Sequence, residues 1–82
     1  MKLMNQKAIR EKLKSAFLFH AEGHIKKHLA NVEVLLSNPV GIGEHGDIIN
    51  EIEKELKEVA HYEDLIDAMN KYFPDEKETL EG

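Results

Sequence analysis

Eighty-two residues are enough for one domain and no more. The absence of Cys excludes disulfides and thiolate metal sites and leaves the redox compartment open. The formal net charge of -5 is unevenly spread: residues 1–36 carry seven Lys/Arg against three acids, and residues 37–82 carry four Lys against thirteen acids. A basic half sometimes signals nucleic acid, but affinity for a polyanion draws on a net positive domain, which this chain lacks. The simpler reading is a basic helix and an acidic helix that pair with each other.

The first segment, about residues 3–36, contains no Pro and only one Gly, Gly23, among many good helix formers. At about 100° per residue, Leu18, Ala21, Ile25, Leu29, Val32 and Leu36 fall in one stripe, with Phe17, His28 and Leu35 beside it. Ile9 and Leu13 drift away from that stripe, so the first turns need a second buried face or form a separate short helix. Gly23 is either a weak point, costing about 1 kcal/mol relative to Ala, or a place of close backbone approach. Leu18 and Phe19 together exceed what one face can bury, which makes Phe19 a candidate oligomer contact. The basic residues Lys2, Lys7, Arg10, Lys12 and Lys14 do not segregate against an apolar face, so they read as a solvated surface rather than a membrane anchor.

Ser37-Asn38-Pro39 stops this helix, because Pro lacks the amide donor and pushes the preceding residue out of helical geometry. A Gly-rich loop over 37–46 follows, carrying Val40 and Ile42 as a plug for the end of a hairpin. It has neither the preceding strand nor the Gly-Lys-Ser/Thr ending of a phosphate loop. Asp47 is a natural N-cap for a second helix, about 47–73. Ile48, Ile52, Val59, Tyr62, Ile66, Met69 and Phe73 line one face of it, with Ile49 and Leu56 on a flank. Pro74 ends it, and 74–82 reads as a frayed acidic tail.

Two helices joined by a short loop are antiparallel neighbours. Pairing about residue 42 sets Val32 opposite Ile52, Ile25 opposite Val59 and Leu18 opposite Ile66, which aligns the apolar stripes. The expected fold is therefore all-α, an antiparallel helical hairpin. Two helices bury little, and chains of this size need additional support, so the hairpin is expected to complete its core as a homodimer or larger helical bundle. No apolar run approaches the roughly 20 residues of a membrane span or the core of a signal peptide. The expected location is thus cytoplasmic, with no membrane partner.

Chemistry is concentrated in His20, His24 and His28, spaced four apart along one ridge of the first helix. Two His at that spacing can share a metal ion. In the hairpin register, His28 lies near Glu55, while His20 and His24 lie near Glu63, a carboxylate set within the apolar stripe. His–Glu hydrogen bonding at a helix interface explains the same residues without a metal. Glu58-Val59-Ala60-His61 matches the Glu-x-x-His element of ferritin-like di-metal bundles, with Glu22 or Glu33 as the further carboxylate. His61, however, projects away from the apolar face. A metal-binding bundle using His20, His24, His28, Glu55, Glu58, His61 and Glu63 is the rival to a plain interaction module that needs no cofactor. The two serines, Ser15 and Ser37, sit in no nucleophile motif, and the reading is non-enzymatic.

The segments His28-Leu29-Ala30-Asn31-Val32-Glu33-Val34, Asn38-Pro39-Val40-Gly41-Ile42-Gly43-Glu44-His45, Ile52-Glu53-Lys54-Glu55 and Tyr62-Glu63-Asp64 carry a resemblance. From about Gly23 to Phe73 the chain resembles small uncharacterised proteins of tailed phages that infect marine cyanobacteria. That resemblance implies a small accessory protein in a phage setting, inside the host cell, and brings no activity or site with it. The overall expectation is a helical accessory protein acting through protein–protein contacts with a partner that the sequence does not identify.

Overall fold

The computed structural model describes residues 5–37 and 45–75. They form two helices, α1 (Gln6–Ser37) and α2 (His45–Tyr72), packed on each other as a hairpin, with no strand among the described residues. Asn5 caps α1: its Oδ1 accepts a hydrogen bond from the Ala8 amide at 2.7 Å, satisfying one of the donors a helix start leaves unpaired. α2 begins at His45, so Asp47 falls within its first turn, where its charge favours the helix dipole. Lys71 occupies the last turn, and the Phe73 amide closes on the Met69 carbonyl at 2.9 Å before Pro74 ends the helix. The Gly-rich loop, its Val40/Ile42 plug, residues 3–4 and most of the acidic tail lie outside the described residues.

The seam between the helices follows a regular alternation of three and four. On α1 it runs Phe17, Ala21, His24, His28, Asn31 and Leu35, and on α2 Ile48, Ile52, Glu55, Val59, Tyr62, Ile66 and Met69, all buried or half-buried. A mean spacing of 3.5 keeps one face of each helix on its neighbour over several turns. Ala21, Leu35 and Val59 are the most deeply buried of the described residues, and Ala21 is wholly enclosed.

This seam differs from the expected stripe. Leu29 and Leu36, placed inward by the sequence reading, are 47% and 63% exposed, as are Leu56 and Ile49 on α2 at 47% and 69%. Phe73 is also largely exposed. α1 is apolar over more than half its circumference, so periodicity alone could not say which part of that arc α2 would cover. In the fold, α2 sits over the His ridge and leaves the leucine ridge uncovered. Gly23 has open space around it, since an added Cβ would meet nothing within 4 Å. Within the chain it marks no close approach of another backbone.

Ala21 sets how closely the helices approach. Replacing it with Leu inserts three heavy atoms into a filled site, and overpacking of that kind costs about 1–3 kcal/mol. Urea unfolding at fixed protein concentration should show a lower midpoint for Ala21→Leu than for the native chain.

Candidate functional site

The middle of the seam is polar. His28 Nδ1 lies 2.6 Å from Glu55 Oε1, with the imidazole donating and the carboxylate accepting. Asn31 Nδ2 donates to the same oxygen at 3.0 Å. The register places these partners: His28 and Asn31 are one turn apart on the inner face of α1, and Glu55 is the seam residue of α2 at that level. Two donors on one carboxylate stabilise its ionised form, so Glu55 titrates below its ordinary range, with His28 the larger cause and Asn31 the second.

One turn away, the seam is filled by rings. His24 stacks on Tyr62 with ring centroids 4.5 Å apart and planes 11° apart, and His20 meets His24 edge-on at 4.6 Å and Tyr62 at 6.0 Å. His28 continues the column, 6.2 Å from His24. His24 Nδ1 is buried without a hydrogen-bond partner. Desolvation therefore lowers the His24 pKa, helped by positive charge on His20, Lys27 and His28, while Glu58 opposes the shift. The shift favours the neutral form of the His24 ring, which lies flat on Tyr62.

Of the sequence candidates, His20, His24, His28 and Glu55 come together here. Glu63 does not join them. It is exposed, and His20 and His24 meet Tyr62 instead. One residue is a rotation of about 100° on a helix, so a Tyr62 that faces α1 turns Glu63 away. His61 is exposed, with its ring edge on Tyr62 at 5.0 Å, and Glu58 is exposed on the same side. Among the described residues, no group of three or more His, Asp or Glu is placed to hold a metal ion. Sequence reasoning placed Tyr62 on the inner face of the second helix but did not pair it with the His ridge, and it did not single out Asn31; they stand seven from Glu55 and three from His28, and that spacing was the available signal.

The two sides of the hairpin differ in character. Ser15, Leu18 and Glu22 of α1 line a groove together with Asn70 of α2, which places these residues on one side. On the other, Asn31 and Val34 line a groove with Asp47 and Glu51. Counting in sevens along α1 from Ser15 and Glu22 reaches Leu29 and Leu36; counting back from Asn70 along α2 reaches Glu63, Leu56 and Ile49. The side that carries Ser15 and Asn70 thus becomes apolar toward the loop, where Leu29 stands level with Leu56 and Leu36 with Ile49. Ile25, Val32, Ile52 and Val59 form the floor between these ridges. At the open end a second apolar groove of about 480 Å³, lined by Ile9, Leu13, Met69 and Phe73, lies beside Arg10 and Lys14. There Arg10 donates to the Pro74 carbonyl at 3.2 Å and Lys14 pairs with Asp75 at 3.1 Å.

No protein-family model, curated protein or solved structure matches the chain. No helix of the described residues is long and apolar enough to cross a membrane.

Proposed function

We propose that this chain is a non-enzymatic protein–protein interaction module that works as a self-associating helical hairpin. The observation that carries the reading is the uncovered apolar face: four large aliphatic side chains, Leu29, Leu36, Ile49 and Leu56, stand out from one side of the hairpin in two matched levels. A contiguous patch of this kind is a recognition surface more often than a free one, and a two-helix chain with so few buried side chains gains stability by covering it. The His20/His24/Tyr62 and His28/Asn31/Glu55 layers serve in this reading as a register device, because sliding α2 by one turn would strand Glu55 and both its donors. A phage accessory setting is proposed from the resemblance read in the sequence alone, since no family model, curated protein or solved structure matches the chain. The metal-binding alternative has less support, since Glu63 stands apart from the His ridge.

Native mass spectrometry of the purified, untagged chain tests the proposal. The expected result is a metal-free dimer at micromolar concentration. A monomer under those conditions would remove the self-associating module, and a dimer holding metal in fixed stoichiometry would restore the His/Glu alternative.

A further inference from the structure

The open end of the hairpin differs in charge from its two sides. The groove of about 480 Å³ there is walled by Ile9 and Leu13 of α1 and by Met69 and Phe73 of α2, and the two charged residues that line it, Arg10 and Lys14, are both basic. Acids line the grooves on the two sides: Glu11, Glu22 and Asp75 beside Ser15, and Asp47, Glu51 and Glu55 beside Val34. An apolar groove with a purely basic edge thus stands apart in a chain of net charge -5. Counting back in sevens from Val34 reaches Lys27, His20 and Leu13. The groove therefore opens on the side away from Leu29 and Leu56 and stays accessible when those residues are covered.

The basic edge is built into the fold. Lys14 keeps only 10% of its side chain exposed, and its Nζ reaches Asp75, which is more than half exposed, at 3.1 Å. Arg10 Nη2 donates to the Pro74 carbonyl, while Nη1 is buried and finds no acceptor among the described residues. A guanidinium donor withdrawn from water without an acceptor is unfavourable, and an anionic acceptor restores the lost hydrogen bond. Arg10, Lys14 and Asp75 together hold one net positive charge, which a monoanion balances and a dianionic phosphate overshoots. We propose that this groove binds a single-chain aliphatic carboxylate of the fatty-acid class, its chain along Ile9, Leu13, Met69 and Phe73 and its head group on Lys14 and Arg10. The head group takes the place of the Asp75 carboxylate on Lys14. The volume lies within the range of small-ligand sites. Ile9, Phe73 and Leu13 are 41%, 55% and 67% exposed in the hairpin, so a bound chain removes their surface from water.

Calorimetric titration of the full chain with decanoate, below its micelle concentration, tests the site. One decanoate should bind per chain. Hexanoate, four methylenes shorter, should bind at least about tenfold more weakly, because a fully buried methylene contributes up to about fourfold. Decanol, which has the same chain without the charge, should also bind at least about tenfold more weakly. Arg10→Met should weaken decanoate about tenfold and leave decanol unchanged, a split that a merely structural role would not produce. Leu13→Asp should abolish decanoate binding, and Leu29→Asp should leave it unchanged. If Arg10→Met fails to fold, the comparison of decanoate with decanol on the native chain still decides. Decanol binding as tightly as decanoate would overturn the proposal, as would no decanoate binding up to millimolar concentration. Binding lost in Leu29→Asp and kept in Leu13→Asp would overturn it by moving the ligand to the aliphatic face. These outcomes do not depend on the oligomeric state, so the self-association proposed above stands or falls separately.

Discussion

Changing Leu29 and Leu56 together to Asp should turn a dimeric chain into a monomeric one, raising the dimer Kd by at least about 100-fold, the equivalent of roughly 3 kcal/mol. Both side chains are nearly half exposed in the single hairpin, so the change asks little of the hairpin itself. In a dimer that covers this face it sets carboxylates among apolar side chains, where each loses water without gaining a partner. Sedimentation equilibrium gives the Kd, and circular dichroism at high concentration shows whether the helices persist. The control is Leu13→Asp. Leu13 is also largely exposed, but it lies toward the open end beyond Glu22, so it should leave the Kd within a few-fold of native. Equal losses from both changes would mean that the aliphatic levels do not define the interface.

The helices, their antiparallel pairing and the level at which His28 meets Glu55 were legible in the sequence because each rests on a short-range rule. Pro39 and Pro74 forbid helix, three-four spacing writes an inner face, and a short loop forces neighbours together. The rotation of α1 about its own axis was not legible. Its apolar arc extends from Phe17 and Leu35 round to Leu29 and Leu36, and a partner could have covered either part. The choice is made by α2, whose own inner row includes Glu55 and Tyr62. A carboxylate at the seam needs donors, and the ridge of α1 that supplies them is His28 and Asn31 rather than Leu29 and Leu36. Glu63 was misjudged for the same reason. Its place beside Val59 and Ile66 looks inward on a wheel drawn for one helix alone, but with Tyr62 turned to the His column it belongs to the outer ridge shared with Leu56 and Asn70. A polar contact between two helices thus decided which apolar residues were left over, and those remainders became the candidate interface.

The same polar seam should make the hairpin acid-sensitive in two steps. His24 has a folded-state pKa below its ordinary value of about 6.5, so folding favours the neutral ring. Its contribution is present above pH 6.5 and is lost as pH falls below it, because the unfolded chain takes up the proton first. The groups around it give the added charge little relief: His20, Lys27 and His28 on α1 are themselves basic, Tyr62 on α2 offers the face of its ring, and Glu58 is the one carboxylate among the named influences. Glu55 acts in the same direction at lower pH. Its pKa is held below the ordinary carboxylate range, so its contribution is present above about 4.3 and disappears as pH drops through the lowered value. Urea midpoints followed by circular dichroism at fixed protein concentration should therefore fall between pH 7.5 and 5.5, and fall again below about pH 4.5. His24→Phe keeps a ring on Tyr62 without a proton site and should flatten the first step alone, while Glu55→Gln should flatten the second and lower the midpoint at neutral pH. A first step that survives intact in His24→Phe would assign it to another group and detach the ring column from the acid response.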